Sequence, residues 1–292
     1  MDDPSRQHLL NGQRAGAKYT MGVPQGAPMG LAGTHLANRP GSSLEFMDHR
    51  AYEPGDDLRR IDWSAFARTD RLTVNLYRQE VNPHVDILVD GSRSMGLAET
   101  AKAEATLALT ALLATAASNA GFTRRAWLGA EQWQPVPNSA NEPNAWGPVP
   151  LDAARSPDES LLAMPPTLAP RGMRFLLSDL LWLSDAAAVL RRLAHEATCV
   201  VVIQLLAQAD ADPPQWGNTR LLDCETGQER EVFVDAGAAD RYRHRLARHQ
   251  QNWHRAARQV GAVMTTVVAE RLIDGWELED LLAAGVLKVG DR

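Results

Sequence analysis

Short apolar runs alternate along the chain with longer segments in which apolar residues recur every three or four positions. The runs are rich in β-branched residues and end at glycine or polar residues, which is typical of buried strands. The predicted strands are 84–90, 123–130, 175–179, 198–206 and 263–269. The predicted helices are 99–120, 180–197 and 241–260. Strands alternating with helices predict an α/β fold with a doubly wound, mostly parallel sheet.

The remaining segments predict an N-terminal β-rich extension and an edge β-hairpin. Residues 72–78 alternate like a strand, and residues 220–235 predict a hairpin that turns at 225–227 and lies at the sheet edge. The interval 131–170 predicts an irregular excursion with one short helix. We expect four regions: a flexible N-terminal arm at 1–40 with one short helix near 5–15, a segment at 41–80 packing on the core, the α/β domain at 81–270, and a C-terminal helix and tail at 271–292.

Oxygen-bearing side chains follow two of the predicted strands. Asp90 ends the strand 84–90, with Ser92 and Ser94 after it, and Asp179 ends the strand 175–179. Because ligands bind at the carboxyl ends of strands in an open α/β sheet, we expect both carboxylates at one edge. They repel each other unless a cation or a proton intervenes, and oxygen ligands suit Mg²⁺ or Mn²⁺. The alternative is that both aspartates cap helices.

Two stretches resemble known families. The run Asp90-Gly-Ser92-Arg-Ser94 resembles the metal-ion-dependent adhesion site of von Willebrand factor type A domains. The run from Glu45 to Arg68, with its Pro-Gly-Asp-Asp and Ile-Asp-Trp pieces, resembles the signature of the bacterial domain of unknown function 58 family. The resemblance covers roughly residues 40–210 and implies a von Willebrand factor type A-like fold.

The resemblance also implies a ligand set and a function. Asp90, Ser92, Ser94 and Asp179 would surround a divalent ion whose open position takes a carboxylate of another protein. The family resemblance implies a non-enzymatic adaptor or co-chaperone of a MoxR-type AAA+ ATPase. In the type A fold a Thr from a loop within 131–170 completes the site. No residue there matches that pattern, and the candidates are Ser156, Ser160 and Thr167.

Two alternatives stay open. The chain could be a structural module with a vestigial site, in which Arg93 or another cation replaces the metal, and the unmatched Thr favours this alternative. It could also be a metal-dependent phosphoesterase, which needs a base or Lys near Asp90. The sequence has no P-loop, no Gly-x-Ser-x-Gly elbow and no His-Glu-x-x-His motif, so we predict that the protein is not an enzyme.

The block from Glu45 to Arg71 mixes seven acids and five arginines with apolar residues. Such mixing indicates internal Arg–carboxylate pairing together with turn and packing chemistry. A sharper hypothesis is a partner-binding surface near the metal edge. Its residues are Arg50, Asp56, Asp57, Arg59, Asp62 and Arg68.

The composition of the chain limits its predicted ligands and its predicted cellular location. The 292 residues carry a net charge of −6, which gives no global sign of nucleic-acid binding. The two cysteines, Cys199 and Cys224, make no disulfide framework, so we predict a cytoplasmic protein. No stretch reaches the roughly 18 apolar residues of a membrane span.

The arginines of the helix 241–260 lie mostly outside its apolar stripe. Arginines in this position can bind an acidic partner or nucleic acid. More often they simply face solvent.

Overall fold

The computed structural model describes residues 4–23, 46–53, 61–77, 83–213 and 217–290. They belong to two compact units, one within 1–27 and 83–292 and the other within 28–82. The helices are α1 (Pro4–Gly16), α2 (Trp63–Thr69), α3 (Lys102–Asn119), α4 (Asp158–Ala163), α5 (Ala186–Ala194), α6 (Gln208–Ala211), α7 (Ala236–Val260), α8 (Ala269–Gly275) and α9 (Glu279–Ala283). The strands are β1 (Tyr19–Met21), β2 (Phe46–Ala51), β3 (Thr73–Tyr77), β4 (His84–Asp90), β5 (Thr123–Gly129), β6 (Trp133–Pro135), β7 (Met173–Ser178), β8 (Cys199–Leu206), β9 (Gly217–Leu222), β10 (Glu229–Val234), β11 (Val263–Val268) and β12 (Leu287–Val289).

Six strands of the larger unit form a sheet in the order β11-β8-β7-β4-β5-β6. Every neighbouring pair is parallel except β5 and β6, which run antiparallel. Ile87 lies in the middle of the sheet, opposite Ala126 on one side and Phe175 on the other. All three side chains are buried, as expected of parallel strands covered on both faces. The predicted α/β fold with a mostly parallel sheet is confirmed.

Helices cover both faces of this sheet. Ile87 and Val89 pack on one face in an apolar cluster with the leucines of α3. Leu88 lies in a second cluster with Leu190 of α5 and Trp253 of α7. Because successive side chains of a strand point to opposite faces, β4 contributes to both clusters. The helix α3 is buried nearly all round, since α1 and α8 lie against it as well.

The strand order reverses beside β4. From β4 the chain moves outward to β5 and β6, then returns to β7 on the other side of β4 and continues to β8 and β11. Such a reversal opens a crevice at the carboxyl ends of the two central strands, where open α/β sheets bind ligands. Asp90 is the last residue of β4, and Asp179 directly follows β7. The chain path therefore brings both aspartates to this crevice.

The first residues of the chain differ from the predicted flexible arm. The helix α1 packs along α3, and β1 pairs antiparallel with β12. Gly12 permits the close helix contact, because a Cβ atom there would lie 1.9 Å from the carbonyl oxygen of Ala108. Leu9 is buried in the same core. The glycines that made this segment seem loosely held instead let two helix backbones approach.

The smaller unit is a β-hairpin with a helix in its connection. The strands β2 and β3 pair antiparallel, and Ile61 forms a further bridge to Val74. The helix α2 begins after Asp62, whose carboxylate accepts a hydrogen bond of 2.9 Å from the amide of Ala65. This capping contact fits the turn and packing role predicted for the Ile-Asp-Trp piece.

Three predicted elements of the larger unit need correction. The hairpin of β9 and β10 is a separate two-stranded sheet and not an edge of the central sheet, whose edges are β11 and β6. Its side chains, including Leu222 and Phe233, are largely exposed, which shows that the hairpin does not pack on the central sheet. The helix predicted at 180–197 starts only at Ala186, after the cap Asp185. The helix predicted at 241–260 starts earlier, at Ala236, because Asp235 caps it.

Replacing Gly12 with Ala tests the contact between α1 and α3. The added Cβ collides with the Ala108 backbone, which a rotamer change cannot relieve, so we expect a loss of about 2 kcal/mol in the free energy of unfolding. Gly275→Ala in α8 is the control, because a Cβ there meets nothing closer than 3.8 Å. Urea unfolding measures both variants. Equal stability of Gly12→Ala and the wild type would contradict the packing described.

Candidate functional site

A tight turn after β4 gathers three oxygen-bearing side chains. The Oδ1 atom of Asp90 accepts hydrogen bonds from the amide of Ser92 at 2.9 Å and from its hydroxyl at 2.7 Å. The hydroxyl oxygens of Ser92 and Ser94 are 3.0 Å apart. Gly91 lets the turn pass beside β5, since a Cβ there would lie 2.7 Å from the Gly129 carbonyl oxygen. The Asp-x-Ser-x-Ser spacing therefore produces the cluster that the sequence predicts.

The second oxygen of Asp90 is held from β7 and the loop after it. Its Oδ2 atom accepts hydrogen bonds from the Ser178 hydroxyl at 2.6 Å and the Trp182 indole at 3.0 Å. The carboxylate is fully buried. Burial and the nearby charge of Asp179 raise the pKa of Asp90 from its ordinary 3.8 to about 6, although the bonds from Ser178 and Ser92 oppose the rise.

Asp179 is paired with a buried lysine. Its Oδ2 atom lies 2.8 Å from the Nζ atom of Lys102, which is 3.2 Å from Asp210. The Lys102 side chain is only 2% exposed. Burial disfavours the charged ammonium, but the charges and hydrogen bonds of Asp179 and Asp210 outweigh it and raise the pKa of Lys102. Lys102 is therefore a fixed positive charge at the first turn of α3.

The hydroxyl cluster matches the ligand spacing of a small divalent ion. Neighbouring ligands of an octahedral Mg²⁺ at 2.0–2.1 Å are about 2.9 Å apart. The distance between the Ser92 and Ser94 oxygens is 3.0 Å, and that between Ser92 and Asp90 is 2.7 Å. In the described ranges, no three His, Cys, Asp or Glu side chains form a group able to hold a metal. An ion here would thus depend on the serine hydroxyls.

The loop before α4 runs beside this turn. Ala153 exchanges backbone hydrogen bonds with Gly91 and Arg93 at 3.0 and 2.9 Å. The three candidates for the additional ligand point elsewhere or outward. The Ser156 hydroxyl donates to Asp158, the Ser160 hydroxyl donates to backbone carbonyls, and Thr167 is exposed. These contacts assign no additional hydroxyl to the cluster.

Several contributors to the site carry no sequence motif. Ser178 and Trp182 flank Asp179 in the chain but bind Asp90. Lys102 is 77 residues from Asp179, in an Ala-rich helix that predicts only burial. Arg93, which the sequence offered as a replacement cation, instead donates to the carbonyl of Asp152 and is exposed. Lys102 is the one basic residue of this Ala-rich helix, and a buried charge needs a partner, which is the signal that could have drawn attention to it.

The tip of the β9–β10 hairpin lies within electrostatic reach of the site. Cys224 and Glu225 at the tip are partly buried, although most residues of the hairpin are exposed. Burial, followed by the charges of Asp90 and Asp179, raises the pKa of Glu225. A further carboxylate therefore stands close to the crevice.

The residues proposed as a partner-binding surface fall in the smaller unit. Arg50 donates to the carbonyl of Ala51 and lies 3.9 Å from Glu53. Asp62 caps α2, and Arg68 is in the last turn of that helix. The remaining members, Asp56, Asp57 and Arg59, lie outside the described residues.

A protein-family model matches most of the chain. Residues 48–256 match the family described as protein of unknown function DUF58. The chain belongs to the DUF58 family. This DUF58 chain is 28% identical over 269 residues to uncharacterized proteins of Mycobacterium bovis and Mycobacterium tuberculosis, covering 82% of this chain and 80% of each relative. An uncharacterized protein of Mycobacterium avium is 31% identical over 125 residues, covering 41% of this chain and 65% of the relative.

Three solved structures resemble this DUF58 chain at low sequence identity. The conserved hypothetical protein BatB from Bacteroides thetaiotaomicron has a TM-score of 0.36 and 11% identity, covering 69% of this chain and 98% of that one. An aerotolerance-related membrane protein from Bacteroides fragilis has a TM-score of 0.33 and 11% identity, with coverages of 69% and 99%. An uncharacterized membrane spanning protein from Vibrio fischeri has a TM-score of 0.21 and 14% identity, with coverages of 68% and 98%.

The predicted cytoplasmic location is wrong as stated. Two of these structures come from proteins that are themselves described as membrane or membrane spanning. The prediction rested on the cysteine count, and unpaired cysteines report the redox state around a thiol and not attachment to a membrane. Within the described ranges of this DUF58 chain, no helix has both the length and the apolar character to cross a bilayer.

The raised pKa of Asp90 predicts a pH-dependent stability. Between pH 3.8 and about 6 the folded chain keeps a proton that the unfolded chain has released, so stability falls as pH rises through this window and then levels off. The loss amounts to about 3 kcal/mol, and Asp90→Asn lacks it. Urea unfolding of both proteins in chelator, below and above this window, measures the difference. Parallel pH profiles of the two proteins would contradict it.

The pairing of Lys102 predicts a strong coupling with Asp179. Lys102→Met leaves two carboxylates without their cation, so we expect a loss of about 3–5 kcal/mol in the free energy of unfolding. Adding Asp179→Asn removes one of those charges and restores part of the loss, which a double-mutant cycle measures. Lys288→Met, at an exposed position, serves as the control. Additive effects of the Lys102 and Asp179 substitutions would show that the pair does not interact.

Proposed function

We propose that this chain is a non-enzymatic protein-interaction module with a von Willebrand factor type A-like fold and a divalent metal at the end of β4. The observation that carries the proposal is the convergence of the Asp90, Ser92 and Ser94 oxygens within hydrogen-bond distance of one another, an oxygen-only set of the kind that Mg²⁺ or Mn²⁺ prefers. The position of this cluster at the reversal of the strand order supports a binding role. A bound ion would supply a Lewis-acidic position for a carboxylate of the partner.

The protein side chains prepare this position before a partner arrives. Ser178 and Trp182 bind one oxygen of Asp90, which fixes the plane of the carboxylate and directs its other oxygen toward Ser92. Ser94 is only half-buried, so the outer side of the cluster is open to a partner. Asp179 is close enough for its charge to act on Asp90, and it is held by Lys102 at 2.8 Å. The site is thus rigid inside and accessible outside, as metal-mediated recognition requires.

The partner that we propose is a MoxR-type AAA+ ATPase, for which the chain serves as adaptor or co-chaperone. The resemblance to the family motif is the basis for naming this partner. Exposed leucines beside the site support a protein partner of some kind. Leu181 and Leu183 lie two and four residues after Asp179, and their exposed fractions are 44% and 102%. Large apolar side chains at a crevice are typical anchors of protein interfaces.

One observation favours a second candidate, a structural module with a vestigial metal site. Lys102 already neutralises Asp179, and every oxygen of Asp90 has a hydrogen-bond donor in the described residues. In this case the lysine takes the place of the ion. The phosphoesterase alternative gains little from Lys102, because this side chain is buried between two carboxylates and does not face a substrate.

Removal of the Ser94 hydroxyl tests the metal site without disturbing the buried network. Among the described residues, the hydroxyl bonds only to Ser92, so Ser94→Ala should fold like the wild type. We expect saturable binding of Mg²⁺ and Mn²⁺ to the wild type in calorimetric titration and at least about tenfold weaker binding to Ser94→Ala. Ser118→Ala is the matched control, because its hydroxyl bonds to Glu142 on the surface.

A pull-down then tests the partner. Purified MoxR-type ATPase should be retained by the wild type, lost in chelator and lost with Ser94→Ala. Retention that is unaffected by chelator and by Ser94→Ala, together with no ion binding in calorimetry, would overturn the metal-dependent function and favour the module in which Lys102 replaces the ion.

A further inference from the structure

The outer face of α7 carries an unbroken row of basic and neutral polar side chains. Its members recur at alternating intervals of three and four residues, so they form one straight ridge about 25 Å long on the helix. We call this row the arginine stripe. It consists of Arg241, His244, Arg248, Gln251, Arg255 and Arg258, all exposed. The opposite side of the helix is buried through Leu246, Trp253 and Ala257.

The four arginines of the stripe make no ion pair or side-chain hydrogen bond with the described residues. Arg243, which lies off the stripe, pairs with Asp212 and Asp240 at 2.7 Å each. In the part of the chain that the structure describes, none of the stripe arginines forms an ion pair. The only acidic residue within α7 is Asp240, and Arg243 engages it. Four guanidinium groups are therefore available on a protein whose net charge is −6.

The spacing and chemistry of the stripe define what it can bind. Guanidinium groups form paired hydrogen bonds with carboxylates and phosphates. A repeat of three and four residues is the repeat that one helix presents to another lying along it. We propose that the arginine stripe is a docking surface for an acidic helix of a protein partner, with carboxylates at the same three- and four-residue spacing.

Other observations favour a protein helix over a membrane or a nucleic acid. The stripe contains no Phe, Tyr or Trp on which a base could stack. A polyanion that extends beyond the ridge would also reach the acidic remainder of the chain and be repelled, whereas a short acidic helix contacts the ridge alone. Arg255 lines a cleft of about 470 Å³ together with Leu183, whose side chain is fully exposed. An apolar anchor beside a row of charges is the usual composition of a protein interface.

The docking surface is independent of the metal site. It depends on arginine side chains of α7 and on no hydroxyl of the turn after β4. Binding to the stripe should consequently persist in chelator and in Ser94→Ala. Failure of metal binding and failure of the stripe can thus be told apart.

The test uses the full chain and a synthetic helical peptide with glutamates at the spacing of the stripe. The quadruple variant Arg241→Gln, Arg248→Gln, Arg255→Gln and Arg258→Gln keeps the helix-forming character of each position. Fluorescence anisotropy measures the affinity at low and high salt. We expect the wild type to bind the peptide, salt to weaken the binding, and the quadruple variant to bind about tenfold more weakly.

A second quadruple variant removes the same charge elsewhere. It replaces Arg6, Arg14, Arg230 and Arg271 with Gln, all of which are exposed. This control should bind the peptide like the wild type. Equal weakening by both variants, or equal binding of a scrambled peptide of the same composition, would overturn the proposal. Tighter binding to phosphatidylserine vesicles or duplex DNA than to the peptide would also overturn it and assign the stripe to that ligand.

Discussion

The burial of the Asp90 carboxylate is the constraint on which the rest of the crevice depends. A carboxylate with no exposed surface is stable only if every lone pair finds a donor. Here the donors come from three places in the chain: Ser92 in the following turn, Ser178 at the end of β7, and Trp182 in the loop after it. Because one residue joins β4 to β7, the edge where the strand order reverses is held in one geometry.

The same constraint reaches the helices on the outer face. The Trp182 indole packs edge-on against Trp253 of α7, with ring centres 5.9 Å apart. Gln204 of β8 donates to the backbone of Asp179 and accepts from Gln250 of α7. The helix that carries the arginine stripe is thus fastened to the crevice by its buried side. Its outer side is left exposed for contacts beyond the fold, which is how one helix can serve both a site and a surface.

Part of this arrangement could be predicted from the sequence, and the reasons are physical. Apolar runs ending in Asp90 and Asp179 identify strand ends, and a parallel sheet brings strand ends together, so their convergence followed from the pattern. The pairing of Asp179 with Lys102 did not follow, because a lysine in an Ala-rich helix gives no sign of its distant partner. The packing of α1 was missed for a related reason. In the sequence alone, Gly12 predicts only a flexible position. Its contact with the backbone of Ala108 is visible only in the folded structure.

The balance of charge in the crevice bears on the choice between an ion and a replacement lysine. Two carboxylates, those of Asp179 and Asp210, contact the one ammonium group of Lys102, and Asp90 lies close enough for the charge of Asp179 to raise its pKa. With a pKa of about 6, Asp90 is mainly ionised at neutral pH, so Lys102 alone leaves the group with excess negative charge. Glu225 at the hairpin tip adds to that excess. A divalent cation beside Ser92 and Ser94 would neutralise it, which supports the metal-dependent module over the vestigial one.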